Sequence, residues 1–211
     1  MSQLQDITSP MTPLEKRAIL SLSSIYALRM LGLFMILPVL SLFAEQMEGA
    51  TPLLIGLAIS VYGLTQAILQ IPFGLLSDRF GRKKIIIIGL ILFSAGSIVA
   101  AVSTTIYGVL IGRAIQGSGA IAAAIMALVA DLTQEVHRTK AMATIGASIG
   151  ISFGVAITLG PILAGHIGIA GIFWLTGILA LVAILVVLFL VPNPKKSIVH
   201  CDAELVPSQF S

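Results

Sequence analysis

The chain has 211 residues, of which 57% are hydrophobic and only 10% are charged, and its mean hydropathy is +1.07. A soluble domain carries about 25% charged residues because water must solvate its surface, so this composition excludes an ordinary soluble domain. The formal net charge of +3 comes from basic residues that lie between apolar runs, which favours a membrane surface over nucleic acid as their partner.

Six apolar runs are long enough to cross a membrane, since a helix needs about 20 apolar residues to span roughly 30 Å of hydrocarbon. They lack the period-2 alternation of barrel strands, so we predict an all-α integral membrane protein. Lys16 and Arg17 precede the first run as in a signal peptide, but that run is too long for one and five more follow, so we interpret it as a retained span. Spans 1 to 6 are predicted at residues 18–43, 53–76, 84–103, 106–130, 141–164 and 168–191.

Basic residues lie on one side of the predicted spans. The segment 1–17 and the chain after spans 2, 4 and 6 hold all of the basic loop residues, whereas the loops after spans 1, 3 and 5 hold none. By the positive-inside rule, both termini are predicted to be cytoplasmic. The tail 192–211 begins Pro-Asn-Pro, and we predict a truncated cytoplasmic linker there. Its Cys201 is the only cysteine, so we expect no internal disulfide, no cysteine metal site and no cofactor.

Spans 1–3 and 4–6 share a weak internal repeat. Arg29 of span 1 corresponds to Arg113 of span 4, and Pro72 of span 2 corresponds to Pro161 of span 5. Because each triplet is odd, the two triplets have opposite orientations, which predicts a 3+3 inverted repeat.

Arg29 and Arg113 are the two charged residues near mid-depth of the predicted spans. Burying a charge there costs at least about 2.5–3.5 kcal/mol, so each needs a partner or a cavity. One interpretation is pairing with backbone carbonyls that only holds helices together; the other is a cavity-lining or coupling role. Gln116 and Gly117 share the face of Arg113, so Gln116 is a candidate for orienting the guanidinium.

Span 2 carries a polar stripe. Tyr62, Gln66 and Gln70 are each four residues apart and therefore share one face. The stripe suits a wet cavity that offers donors and acceptors to a ligand. It equally suits hydrogen bonds between helices, worth about 0.6 kcal/mol per contact.

Span 5 carries a glycine ladder formed by Gly146, Gly150 and Gly154. Such a ladder lets a neighbouring helix approach closely, so we predict a packing seam and hypothesise that it slides during function. Farther on, Gly160 and Pro161 free backbone groups and permit a bend.

No Asp or Glu lies inside any predicted span, so proton coupling does not follow from these residues alone. The three histidines fall in predicted loops or in the tail. An enzyme needs a nucleophile–base pair or a metal cluster at mid-depth, so we predict that the chain is not an enzyme.

The loop after span 2 reads Gly-Leu-Leu-Ser-Asp-Arg-Phe-Gly-Arg-Lys-Lys from Gly74 to Lys84. This string resembles motif A of the major facilitator superfamily, G-x-L-x-D-R-x-G-R-K/R-K/R. In physical terms, Gly74 suits close helix contact and Gly81 suits a tight turn. Asp78 is predicted to cap the start of span 3. The motif residues are Gly74, Asp78, Arg79, Gly81, Arg82, Lys83 and Lys84.

Two further strings carry the resemblance. The run from Arg113 to Ala120 resembles motif B, R-x-x-Q-G-x-G-A, and the run from Gly150 to Gly165 is similar to motif C of drug–proton antiporters. The latter departs from the family pattern at Ala164, where the family has glycine.

The resemblance implies one half of a twelve-helix fold that works by alternating access, with proton-coupled efflux of small amphipathic or drug-like molecules across a bacterial inner membrane. It implies a cytoplasmic gate of Asp78 and Arg82 with Asp131 as charge partner, and a role of Arg113 in proton coupling. The implied partners are the lipid bilayer, a small-molecule substrate, protons and a second six-helix half. The alternative is a truncated fragment or half-transporter that transports nothing alone, or that dimerises.

Overall fold

A computed structural model describes residues 10–192 of the chain, and these residues are almost entirely helical. Five helical stretches are long and apolar enough to cross a membrane. Cys201 and the predicted linker beyond residue 192 lie outside the described residues, so their assignment stays a prediction. The helices are α1 Pro13–Phe43, α2 Pro52–Phe80, α3 Arg82–Val102, α4 Ile106–Ser118, α5 Ala122–Leu132 and α6 Glu135–Phe189, with a short 3₁₀ turn at Ala44–Gln46.

Polar caps fix where several helices begin. At the start of α1, Thr12 and Glu15 form a capping box, in which the Thr12 amide donates to Glu15 Oε2 at 2.8 Å. The side chain of Thr51 accepts from a backbone amide in the first turn of α2, and that of Thr105 does so in α4. Each cap satisfies an amide that has no partner within its helix.

Helix α6 is too long to be one span. Its 55 residues extend about 82 Å at 1.5 Å per residue, far more than a bilayer core of roughly 30 Å. Gly168 interrupts it with φ 69° and ψ 178°, a conformation open to glycine. We therefore treat residues 135–167 as span 5 and residues 169–189 as span 6.

Contacts with α1 show that the chain reverses at this interruption. Before it, the hydroxyls of Ser148 and Ser152 donate to the carbonyls of Ser23 and Ala27, so span 5 runs parallel to α1.

Beyond Gly168 the contacts with α1 follow the opposite order along the chain. Thr176 Oγ1 donates to the carbonyl of Gly32, and Arg17 Nε donates to the carbonyl of Leu190, so span 6 runs antiparallel to α1. The chain thus makes six passages, as predicted, with α1, α2 and α3 as spans 1 to 3 and α4 with α5 as span 4.

Span 4 differs from the prediction of one continuous helix. Residues 119–121 separate α4 from α5, and Gly119 adopts φ −76° and ψ 54°. A Cβ at Gly119 would overlap the carbonyl of Gly89 in span 3. Close approach to span 3 therefore accompanies the interruption. The carbonyl of Gly119 accepts from the amide of Ile121 at 2.9 Å, and its second lone pair can accept from a side chain.

Span 1 packs mainly against spans 5 and 6. Span 2 is the least covered: only 17% of its most apolar window is buried, against 56% for span 3. Most of the surface of span 2 therefore has no partner within residues 10–192.

The ends that carry the basic residues meet at one end of the bundle. There Arg82 Nε lies 3.1 Å from Asp131 Oδ2, and Glu15 Oε1 accepts from the amide of Gln134 at 2.9 Å. Their assignment to the cytoplasm remains a prediction from loop charge.

Two of the histidines do not lie in loops, contrary to the prediction. His137 is buried in the first turn of α6, and His166 is exposed in the same helix two residues before Gly168. The helical hydrogen bonding of α6 extends beyond its apolar run in both places.

Candidate functional site

Two buried arginines form the centre of the candidate site. The side chains of Arg29 and Arg113 are 1% and 0% exposed and are among the largest fully buried side chains of the described residues. The predicted repeat pairs these arginines, and in the fold both contact one tyrosine, Tyr62.

Three hydrogen-bond acceptors lie around one nitrogen of Arg29. Its Nη2 lies 2.9 Å from the carbonyl of Gly119, 3.1 Å from the hydroxyl of Tyr62 and 3.4 Å from Oε1 of Gln66. Its guanidinium carbon is 5.5 Å from the ring centroid of Phe93. Nε and Nη1 have no hydrogen-bond partner among the described residues.

Arg113 connects span 4 to spans 2 and 3. Its Nε donates to the carbonyl of Ala58 at 3.2 Å and its Nη1 to Gln116 Oε1 at 2.9 Å. Gln116 in turn donates to Ser97 Oγ at 2.6 Å. The guanidinium carbon lies 4.6 Å from the ring centroid of Tyr62, and Nη2 has no partner among the described residues.

Both interpretations of the arginines therefore have support. The bonds to the carbonyls of Ala58 and Gly119 hold helices together, as the structural interpretation requires. The unpaired N–H groups are what a ligand-binding role requires, since a buried donor without a partner costs about 1–3 kcal/mol.

The polar stripe of span 2 divides between two places. Tyr62 is buried and Gln66 is half-buried beside Arg29. Gln70 instead lines an open groove of about 480 Å³ together with Asp78 and Arg82. The stripe therefore links the buried arginines to the motif A end of the bundle.

Glycines permit the close helix contacts around this centre. A Cβ at Gly117 would overlap Thr65 Oγ1 and the carbonyl of Tyr62. A Cβ at Gly96 would lie 2.9 Å from Cγ of Gln116. Spans 2 and 3 can approach span 4 this closely only because these positions lack side chains.

Sequence reasoning missed the contribution of span 3. Phe93 and Ser97 contact the two arginine networks, but no motif string covers them. The sequence does not single out Ser97, because Ser94 is another hydroxyl residue of the same span.

The motif A residues form a charged cluster at the end of spans 2 to 4. Arg82 makes an ion pair with Asp78, and its Nη1 donates to Ser77 Oγ at 2.9 Å. Asp131 completes the cluster. The predicted cap is wrong: Gly81, with φ +100°, precedes α3 without a side-chain hydrogen bond, because the Asp78 carboxylate is paired with Arg82.

Other motif A residues have separate roles. A Cβ at Gly74 would lie 3.5 Å from that of Ala123, an ordinary contact, so packing within this bundle does not require a glycine there. Arg79 is exposed. Lys83 Nζ donates to the carbonyl of Val191 at 3.0 Å, at the end of span 6, where a cation favours the helix dipole.

The glycine ladder of span 5 faces away from the bundle. A Cβ at Gly146, Gly150 or Gly154 would meet nothing within 4 Å. Only Gly160 packs closely, since its Cβ would lie 3.1 Å from the carbonyl of Met35. The helix continues through Pro161, so a bend there stays a prediction.

Comparison with known proteins defines the class. Residues 22–203 match the family model of the Major Facilitator Superfamily, and the chain therefore belongs to this superfamily. It corresponds to the N-terminal half of the family's transporter fold.

Particular relatives agree with this. Runs such as Leu28–Gly32 and Ile71–Arg79 also resemble YajR-type transporters. The inner membrane transport protein YajR of Escherichia coli (strain K12) is 52% identical over 201 residues, which are 95% of this chain and 44% of YajR. The class B tetracycline resistance protein of Escherichia coli is 30% identical over 83% of this chain and 44% of its own length. The chain thus spans about half the length of the curated relatives it matches.

A solved structure shows the same fold. The human organic anion transporter MFSD10 (TETRAN) superposes with a TM-score of 0.70, at 22% identity, over 87% of this chain and 49% of its own. At this identity the likeness concerns the fold alone.

Proposed function

We propose that the chain is one six-helix half of a proton-coupled secondary transporter that exports small amphipathic molecules across a bacterial inner membrane by alternating access. The observation that carries the proposal is a pair of helix surfaces without a partner. We call them the open surfaces: the exposed side of span 2 around Gln66, Gln70, Ile71 and Leu75, and the glycine ladder of span 5.

Lipid alone is a poor partner for the open surface of span 2. Ile71 and Leu75 are 72% and 63% exposed, as a lipid-facing surface allows. Gln70, however, is a half-buried amide on the same helix, and an amide without a partner in hydrocarbon is costly. A second bundle with polar groups at its centre accounts for both kinds of residue.

The ladder of span 5 supports the same conclusion. Small residues at four-residue spacing let another helix backbone come close, yet no described helix occupies that position. The curated relatives are about twice as long as this chain, which fits a second half docked on these surfaces.

The charged cluster of Asp78, Arg82 and Asp131 supports a gate at the end of spans 2 and 4. It borders the groove that reaches Gln70. Pairs exposed to this degree are worth about 0–1 kcal/mol, so they can separate and re-form when two bundles rock against each other.

In this proposal Arg113 takes part in proton coupling. The described spans provide a buried cation but no carboxylate at mid-depth, so the proton carrier belongs to the second half or to the substrate. The chain alone then transports nothing.

The experiment is transport of a fluorescent amphipathic dye into sealed inverted vesicles under a pH gradient. Vesicles contain this chain, the part of E. coli YajR that the chain does not cover, or both. We expect dye movement only with both halves, and its loss when the gradient is collapsed. Transport by the chain alone at the combined rate contradicts the half-transporter, and no transport by two inserted, co-purifying halves contradicts the function.

A further inference from the structure

We infer that the Arg29 cluster, comprising Arg29, Arg113 and the Tyr62 side chain that contacts both, binds the anionic group of the substrate when the Gln66 amide is displaced, so that the transporter takes amphipathic carboxylates. This inference rests on the proposed function for its physiological meaning. It concerns binding, however, which the chain can be tested for alone.

The charge balance of the cluster is the first argument. Arg29 and Arg113 are both fully buried. Every partner that the structure gives them is neutral: the hydroxyl of Tyr62, the amides of Gln66 and Gln116, and two backbone carbonyls. Two buried cations without an anion are costly at this depth, and a bound carboxylate balances one of them.

The unused donors are the second argument. A guanidinium has five N–H donors in a fixed plane. Nε and Nη1 of Arg29 and Nη2 of Arg113 have no partner among the described residues, while Nη2 of Arg29 is crowded by three acceptors. A carboxylate accepts several charge-assisted bonds and is matched to this planar fork.

Gln66 provides the route to the cluster. Of the two side chains that accept hydrogen bonds from Arg29, Gln66 is half-buried whereas Tyr62 is buried, and the bond to Gln66 is the longest of the three to Nη2 at 3.4 Å. The Gln66 amide oxygen is therefore a neutral acceptor in a position that a carboxylate oxygen can take. A carboxylate that approaches from the open surface of span 2 displaces this oxygen and gains the charge attraction that the amide lacks.

The positive charge of the cluster also excludes a cationic ligand group. Two guanidiniums, one at the hydroxyl and one over the ring of the same tyrosine, repel an ammonium group and give a neutral ester no advantage over an amide. The predicted discrimination is therefore between a carboxylate and its own ester.

The test is calorimetric binding of 1-naphthoate and of its methyl ester to the purified full chain in detergent. We expect naphthoate to bind about tenfold more tightly than the ester, the scale of one charge-assisted contact. Gln66→Glu places a carboxylate beside Arg29, so we expect it to raise the unfolding temperature and to abolish the preference for naphthoate.

Two further variants keep the test decisive if Gln66→Glu does not fold. Gln66→Ala removes the covering amide and is expected to strengthen naphthoate binding severalfold, and Arg29→Gln is expected to abolish the preference. The control is Ser60→Glu, an exposed residue of the same helix whose hydroxyl bonds only to Gly56 of its own helix, and we expect it to retain the preference.

Equal binding of naphthoate and ester by the wild-type chain overturns the inference. So does a preference that survives Arg29→Gln, since the arginine then has a structural role only. Because this binding needs neither a second half nor a pH gradient, its failure is separate from failure of the vesicle experiment.

Discussion

The guanidinium of Arg113 lies 4.6 Å from the ring centroid of Tyr62. The hydroxyl of the same tyrosine accepts a hydrogen bond from Arg29 at 3.1 Å. One neutral side chain thus separates two buried cations and contacts both, with its ring facing one cation and its oxygen facing the other.

Tyr62→Phe removes the hydroxyl and keeps the ring. We expect it to lower the free energy of unfolding by about 1.5–3 kcal/mol, the scale of a hydrogen bond to a charged group. Tyr62→Leu also removes the cation–π contact, which is worth about 0.5–2 kcal/mol more. Denaturant titration in detergent measures both, with Tyr107→Phe as control because Tyr107 is 59% exposed. Wild-type stability of Tyr62→Phe contradicts the account of the cluster.

Gly117→Ala tests the close contact between spans 2 and 4. The added methyl group overlaps Thr65 Oγ1 and the carbonyl of Tyr62, so we expect a loss of about 1–3 kcal/mol in the free energy of unfolding. The matched control is Gly146→Ala, where the methyl group meets nothing within 4 Å. It should be neutral or stabilising by up to about 1 kcal/mol. Equal effects of the two substitutions argue against this helix packing.

Glu15→Ala tests the junction between the starts of spans 1 and 5. The buried carboxylate accepts from the amides of Thr12 and Gln134, and its loss leaves both without this partner. We expect a loss of about 1–3 kcal/mol. Glu45→Ala serves as control, since Glu45 is exposed and its removal should change stability by less than about 0.5 kcal/mol. If Glu15→Ala and Glu45→Ala have the same free energy of unfolding, the junction contributes nothing to stability.

Hydropathy was sufficient to predict the six passages, because span length and apolarity are properties of the sequence alone. The interruption at Gly119 was not predictable in this way. The apolar run continues through it, and the interruption accompanies contact with Gly89 of span 3, which is distant in sequence.

The candidate site was predicted only in part, because some of its contacts join residues that are distant in sequence. Arg29 and Arg113 stand out as charges in apolar runs, but Tyr62 as their common neighbour depends on how spans 1, 2 and 4 pack. Ser97 has ordinary polarity for a membrane helix, so its bond to Gln116 had no sequence signal. The cap expected of Asp78 was wrong because Arg82, four residues on and across the break at Gly81, pairs with the same carboxylate.

Arg113→Ala tests the coupling role of the buried cation. In vesicles that hold both halves, we expect the variant to insert but to lose transport driven by the pH gradient, because its cation and the bond to Gln116 are removed together. Arg138→Ala is the matched control, since Arg138 is exposed and bonds only weakly to the carbonyl of Ala130. Gradient-driven transport at the wild-type rate by Arg113→Ala disproves the coupling role.

The most direct test of the central claim, that a second half docks on the open surfaces to make a transporter, is the initial rate of dye transport by Gly150→Trp combined with the remainder of YajR. Nothing in the described chain lies within 4 Å of a Cβ at this position, so the variant alone should unfold like the wild type. We predict that its combined rate falls to that of the chain alone, while Ile178→Trp, at a 53% exposed position of span 6, keeps the wild-type rate. An undiminished rate with Gly150→Trp would show that the second half does not dock on the span 5 ladder.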